Sequence, residues 1–184
     1  MDTPRLRLRE WRETDAQDLY ESARDPDIGP ACGWKPHRTE ADSRTVLQDI
    51  LIKPDNLAIE LAETGKVIGS ISLHNSAEAS IEGLNEDERV MGYWVGRPWW
   101  EQGYATEAAE AILRCAFHEQ GVSAVWAAYF EGNDRSRRVM EKTGMSYRFS
   151  EYAVAEQLHD AFLRHVRCIT REEWEKKHHV KRKS

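Results

Sequence analysis

The chain has 184 residues, with 26 lysine and arginine against 32 aspartate and glutamate, a formal net charge of −6. That length suits one domain, residues 1–184, and seven tryptophans and four phenylalanines give it core material. An acidic balance brings no general attraction to nucleic acid or anionic membrane, and no apolar run spans a bilayer or reads as a secretory leader.

Residues 5–11 alternate, with Leu6 and Leu8 on one side and Arg5, Arg7 and Arg9 on the other, which predicts a half-buried strand. Thr14 and Gln17 read as a capping box opening a helix with Ala16, Leu19, Tyr20 and Ala23. Residues 25–36, with three prolines and two glycines, form an irregular loop bearing Trp34. Thr39 caps a second helix carrying Val46, Leu47, Ile50 and Leu51. Residues 57–62 and 67–74 read as strands joined by the hairpin signal Glu63-Thr64-Gly65-Lys66. Residues 75–87 are polar and predict a loop. Residues 89–95 are the expected central strand, ended by Gly96 and Pro98, where it should splay from its neighbour. Residues 124–130 are a buried strand, 136–143 a short helix capped by Gly144, and 145–151 and 163–169 two more strands joined by 152–161. Thr170 and Glu173 open a last helix with Trp174. Residues 178–184 are a basic tail; it suits a nucleic-acid or ribosome contact, but short charged termini are ordinarily solvated. Cys32, Cys115 and Cys168 are an odd set without metal spacing, which predicts reduced, packed thiols in a cytoplasmic protein and no metal site.

One stretch organises the rest. Residues 97–108 leave the central strand and enter a helix whose apolar face carries Ala105, Ala108, Ala109, Ile112, Leu113, Ala116 and Phe117, with Gly121 closing it. A glycine-bearing turn before a helix N-terminus presents unpaired backbone N–H groups to an anion, and Gly103 allows close approach. The turn is not a P-loop, because no Gly-Lys-Ser/Thr follows, nor a dinucleotide fingerprint, because the third glycine is missing.

Trp100-x-x-Gly103-x-Ala105 resembles the pyrophosphate loop of the GNAT acetyltransferase superfamily. Asn133-x-x-Ser136-x-x-Val139-Met140-Glu141-Lys142-x-Gly144-Met145 resembles its second signature. Gly92-Tyr93-Trp94 and Leu6-Arg7-Leu8-Arg9 resemble the RimJ/RimL-type branch, in which an aromatic at the Trp100 position is frequent, whereas many members carry Gln or Arg there. The resemblance implies an α/β fold: one mixed, mostly antiparallel, twisted sheet of about seven strands flanked by helices. It implies acetyl-CoA as cosubstrate and an amine-bearing acceptor, a protein N-terminus or a small molecule, attacked directly in a ternary complex, since neither motif holds a cysteine. A homodimer is the default oligomer.

The resemblance also assigns residues. Backbone N–H groups of Gln102, Gly103, Tyr104, Ala105 and Thr106 would take the pyrophosphate. The strand edge at Trp94, Val95 and Gly96 would take pantetheine, with an N–H near Val95 stabilising an oxyanion. Asn133 would bind the cofactor; it also suits the cap of the following helix. Ser136 matches the proton donor to the leaving thiolate and equally suits a helix start, with Tyr129, Tyr147 and Tyr152 as competitors. Trp34 lies in the segment forming one wall of the acceptor site, or else seals the core edge. Val90 stands where branch relatives can place a Glu base; Glu88, on the same face of the strand, is the base assigned instead, with Glu60 and His74 as alternatives. The rival function is a non-catalytic acyl-CoA-binding or regulatory domain.

Overall fold

The computed structural model describes residues 1–78 and 81–182. Seven strands form one sheet, ordered β1-β2-β3-β4-β5-β7-β6: β1 Leu6–Glu10, β2 Asn56–Leu61, β3 Val67–Asn75, β4 Glu88–Val95, β5 Ala124–Phe130, β6 Ser146–Ala155 and β7 Asp160–Thr170. Every neighbouring pair is antiparallel except β4 with β5. The helices are α1 Ala16–Ala23, α2 Glu40–Val46, α3 Tyr104–His118, α4 Asp134–Thr143 and α5 Arg171–Arg182. Lys183 and Ser184 of the basic tail lie outside the described residues, as do residues 79 and 80 of the expected 75–87 loop.

Strand periodicity puts an apolar layer on each face. In β2, Leu57 and Ile59 join the layer beneath α3, while Ala58 joins Trp11, Ala16, Leu19 and Leu47 beneath α1 and α2. Of the stripe that the helical spacing predicts, Ala108, Ala109, Ile112, Leu113, Ala116 and Phe117 are buried, while Ala105 at the helix start is half-buried.

Several local expectations are corrected. Thr14 is not the first cap: the Asp15 carboxylate accepts the Arg12 N–H at 2.8 Å and is clamped by Arg9, so helix entry is set by a buried ion pair. The second helix continues as a π turn, Leu47–Leu51. β6 and β7 run past the expected 152–161 connection, pairing Tyr152, Ala153 and Val154 with Leu163, Phe162 and Ala161. Cys168 is buried, but Cys32 is exposed rather than packed.

What positions the site is the parallel pair. β4 and β5 pair only at Glu88, Arg89 and Val90 with Ala124, Val125 and Trp126, and then diverge. The expected splay therefore begins before Gly96.

Candidate active site

The diverging strands open a cleft of about 460 Å³. Its strand wall is Gly92, Tyr93, Trp94 and Val95, opposite Ala128 and Tyr129; the turn into α3 forms its mouth. Register shows which backbone groups face the gap. The Gly96 N–H donates to the Ile68 carbonyl at 2.8 Å, and Trp94 opposes Ser70, so even-numbered residues of β4 spend their groups on β3. Val95 and Tyr93 turn theirs the other way, toward the gap. The Val95 carbonyl confirms the direction, because it accepts from the Trp100 indole at 2.6 Å instead of from β3. An unspent N–H of Val95 thus points into the cleft.

The turn is shaped by positive φ angles: Glu101 at 60° and Gly103 at 83°. A Cβ at Gly103 would meet only the Arg5 guanidinium, at 3.4 Å, so glycine is required by the angle rather than by crowding. Gly103 is the N-cap of α3, and no side chain caps the first turn. The N–H groups that open this 15-residue helix are therefore left for an outside acceptor. Arg5 holds the turn in place. Its Nη1 donates to the Gln102 carbonyl at 2.9 Å, its Nε to Glu107 at 2.7 Å, and it stacks 4.4 Å from the Tyr104 ring centre. Burial pushes the Glu107 carboxyl up, but hydrogen bonds from Thr3 and Arg5 outweigh it and hold the group below the usual range. The carboxylate at the helix start thus stays ionised.

Across the mouth, Arg135, Arg138 and Lys142 line the cleft from α4, and Arg135 sits 3.8 Å over the Trp100 ring. Among the described residues no carboxylate pairs with these three, whereas neighbouring Arg137 is tied to Asp134 and Glu141. Sequence reading did not single out this cationic row, although the spacing i, i+3, i+7 on an expected helix was its signal. At the inner end, the Tyr93 hydroxyl lies 3.0 Å from both the Ser136 carbonyl and Ser136 Oγ. Burial pushes the Tyr93 phenol well above its ordinary range, with Ser136 pulling weakly the other way, so it remains a proton donor. Asn133 caps α4, accepting the Ser136 N–H at 3.2 Å, and its amide reaches the Ala31 carbonyl at 3.5 Å.

Of the residues expected at the site, Trp94, Val95, Gly103, Tyr104, Ala105, Thr106, Asn133 and Ser136 line one cleft. Gln102 and Gly96 flank it, the latter with its N–H committed to β3. Trp34 stands one layer back, its ring edge-on to Trp94 at 6.1 Å. Glu88 is not brought there. It lies at the far end of β4, accepting the Asn85 N–H at 2.9 Å, and seven residues of strand set it roughly 20 Å from Val95. Glu60 is buried in the Arg9 ion pair on β2, and neither it nor His74 lines the cleft. Cys32 does line it. The residue as a whole is exposed, while close packing around its sulfur pushes the thiol pKa up.

An open strand edge, an inward backbone donor, and a helix N-terminus faced by unpaired cations together define a site for an extended, phosphate-bearing molecule. Comparison with known proteins names the class. Residues 5–146 match the model of the acetyltransferase (GNAT) domain, and the chain belongs to this family. It is 30% identical over 149 residues to the uncharacterized protein YkkB of Bacillus subtilis, covering 79% of this chain and 84% of that one. Its fold is similar to a GNAT-family acetyltransferase from Bacillus anthracis, with a TM-score of 0.80 at 23% identity over 94% of this chain and 98% of the other. It is also similar to AAC(6')-Ib in complex with ribostamycin and coenzyme A, with a TM-score of 0.75 at 18% identity, covering 93% and 96%. The protein is thus an acyltransferase of the GNAT family, using acetyl-CoA to acetylate amines. The cleft fits that cosubstrate: the glycine at positive φ, the uncapped first turn, the free α4 cations and the Val95 N–H match a pyrophosphate at one end and an acyl group at the other.

Proposed function

We propose that this protein acetylates a primary amine of low basicity, such as a protein N-terminal α-amine, in the manner of the RimJ/RimL-type branch, and that the amine attacks directly. The observation that carries this reading is that, among the described residues, no histidine and no unpaired carboxylate lines the cleft inward of its mouth, where Glu101 sits in the exposed turn. The cleft's only carboxylates among the described lining residues are Asp27 and Glu101, and Asp27 is paired with Arg97. With Glu88 remote, the acceptor must arrive largely neutral or lose its proton to water. An α-amine near ~8 meets that condition at neutral pH far better than a lysine near ~10.4. The amine of a small molecule such as an aminoglycoside, the kind of ligand bound to the AAC(6')-Ib neighbour, is the second reading, and the net charge of −6 suits a cationic acceptor.

When bound, acetyl-CoA supplies an activated acetyl thioester. Backbone N–H groups from Gly103 to Thr106, with Gln102 shaping the turn and Arg135, Arg138 and Lys142 opposite, would hold its phosphates. The Val95 N–H would face the oxygen on which charge develops. The Asn133 amide would steady the pantetheine, and Trp34 would back the acceptor wall through Trp94. The Ser136 hydroxyl, positioned by its 3.0 Å contact with the Tyr93 hydroxyl, would deliver the proton that the departing sulfur needs. Direct attack is the route this reading expects, because neither cofactor motif holds a cysteine to carry the acyl group.

The test is isotope-labelled acetyl-CoA incubated with a panel of N-terminal peptides, blocked-terminus lysine peptides and small amines, with product read by mass spectrometry. One dominant class of α-acetylated peptide is expected. Preference for lysine or alkylamine acceptors would overturn the low-basicity reading, and tight acetyl-CoA binding without turnover on any amine would support a regulatory acyl-CoA-binding role instead. Ser136→Ala should lower kcat about tenfold or more while leaving acetyl-CoA affinity unchanged.

A further inference from the structure

A second ordered cluster lies beyond the cleft, on the β5-β7-β6 part of the sheet. Tyr129 opposes His165 across β5 and β7, and His165 opposes Ser150 across β7 and β6, so the three form one row on one face. Glu131 follows Tyr129 by two residues and keeps the pairing, its N–H donating to the Leu163 carbonyl. Tyr147 stands three residues before Ser150 and by simple alternation would face the other side. The register slips at Arg148, with Tyr147 opposite Arg167 and Phe149 opposite Val166, and this bulge returns Tyr147 to the Ser150 face.

The side chains are joined in series. Tyr147 OH is 2.9 Å from Ser150 Oγ, Ser150 Oγ is 2.7 Å from His165 Nδ1, and His165 Nε2 meets the Glu131 carboxylate. A carboxylate only accepts, so a neutral His165 carries its proton on Nε2 and leaves Nδ1 to accept. The Ser150 proton is then directed at Nδ1, and Tyr147 must donate to Ser150 Oγ. Donor, hydroxyl nucleophile, base and orienting carboxylate therefore stand in working order. Ser150, Tyr147 and Glu131 are exposed and His165 is half-buried, so a dissolved substrate reaches the hydroxyl.

We propose that Ser150, His165 and Glu131 form a second, hydrolytic site, adjoining the acyl-transfer cleft across Tyr129, that cleaves small activated aryl esters. The leaving group is assigned from the rings beside His165: Tyr129 at 5.1 Å and Tyr147 at 6.4 Å, which offer an aryl group two flanking faces. Ser150 Oγ bonds to the ester carbonyl carbon as its proton passes to His165 Nδ1. The bond from that carbon to the aryl oxygen breaks, and the phenolate leaves with the proton from His165. Tyr147, freed from the serine oxygen, donates to the carbonyl oxygen. Water then gives a proton to His165 Nδ1 as its oxygen attacks the acyl carbonyl carbon; the bond from that carbon to Ser150 Oγ breaks, Oγ takes the proton back from His165, and a carboxylic acid is released.

The experiment uses the full chain without acetyl-CoA. p-Nitrophenyl acetate is the substrate, and a fluorophosphonate is the trapping probe, its adduct located by peptide mass mapping. Release of p-nitrophenol is expected, with the adduct on Ser150. Ser150→Ala and His165→Gln should each lower the rate at least about tenfold, Glu131→Gln by less, and acetyl-CoA binding should stay unchanged in all three. No release, release unaffected by Ser150→Ala, or an adduct on another residue would overturn the proposal. Because the adduct is mapped on the unaltered chain, the outcome does not depend on any variant folding.

Discussion

Gly103 lines the cleft without serving the core. Its φ of 83° is open to glycine and strained for a β-branched residue by about 1–2 kcal/mol, while the space around it is nearly empty. Gly103→Val should therefore fold, since the turn is exposed and outside the packed stripe of α3. It should nevertheless shift the N–H groups at the helix start. Acetyl-CoA affinity measured by calorimetry should fall at least about tenfold, equivalent to ~1.4 kcal/mol. Ala109→Asp is the contrasting variant. Ala109 is fully buried, so a carboxylate there should lower the melting temperature before it touches binding. A folded Gly103→Val protein that bound acetyl-CoA as tightly as the parent would remove the turn from the site. Glycine at this position was legible in the sequence because a turn before a helix leaves few alternatives. The Arg5 contact that fixes the turn was not, because it joins residues about a hundred positions apart and nothing local signals it.

Elements meet at the site through two ties, one long-range and one within a loop. The first is Arg5, which fastens the start of β1 to the turn and to Glu107 on α3. Arg5→Ala should loosen the turn and weaken acetyl-CoA binding several-fold with little change in melting temperature, because both ion-pair partners are partly solvated and such pairs contribute ~1 kcal/mol or less. Retained affinity would show that the turn holds its shape unaided. The second tie is the loop between α1 and α2. His37 bonds Ser43 Oγ at 2.8 Å and packs its ring 5.4 Å from Trp34, which in turn packs against Trp94. Burial holds the His37 imidazole below the ordinary histidine range, with Asp42 pulling the other way. Its unfolded-state pKa is near ~6.5, so on acidification the unfolded chain takes a proton that the folded chain refuses. That contribution to stability is whole above the unfolded value and is lost as pH falls below it. Melting temperature should drop between pH ~7.5 and ~5.5, and drop less in His37→Gln; equal drops in the two proteins would clear His37 of the effect. The sequence placed Trp34 in this loop, but not its position one layer behind Trp94, since an irregular loop carries no periodicity from which depth can be read.

At the scale of the whole molecule, the sheet is two antiparallel parts joined by one short parallel contact, three residue pairs long. That contact creates the site, and its effect divides what the sequence could and could not show. Strand identities, the Gly96 break and the α3 stripe follow from local pattern, and all reappear in the fold. The place where β4 leaves β5 depends on register between strands separated by the whole of α3, which no local pattern encodes. Glu88 illustrates the cost. Alternation puts it on the same face as Val90 but says nothing of the roughly 20 Å of strand between it and Val95. The same geometry makes a prediction about backbone amides. Even-numbered residues of β4 are bonded to β3, as the Gly96 N–H to Ile68 shows, so the amides of Trp94 and Gly96 should exchange slowly with or without ligand. The amides of Tyr93 and Val95 face the gap, where β5 no longer pairs, and should exchange fast in the free protein. If pantetheine adds to this edge as a strand would, acetyl-CoA should slow the Tyr93 and Val95 amides while leaving Trp94 and Gly96 unchanged. Hydrogen exchange resolved to single amides by NMR reads all four at once. Protection of Val95 in the free protein, or no change there on saturation with acetyl-CoA, would mean that the cofactor does not use the open edge of β4, and the Val95 N–H would lose its role beside the reacting oxygen.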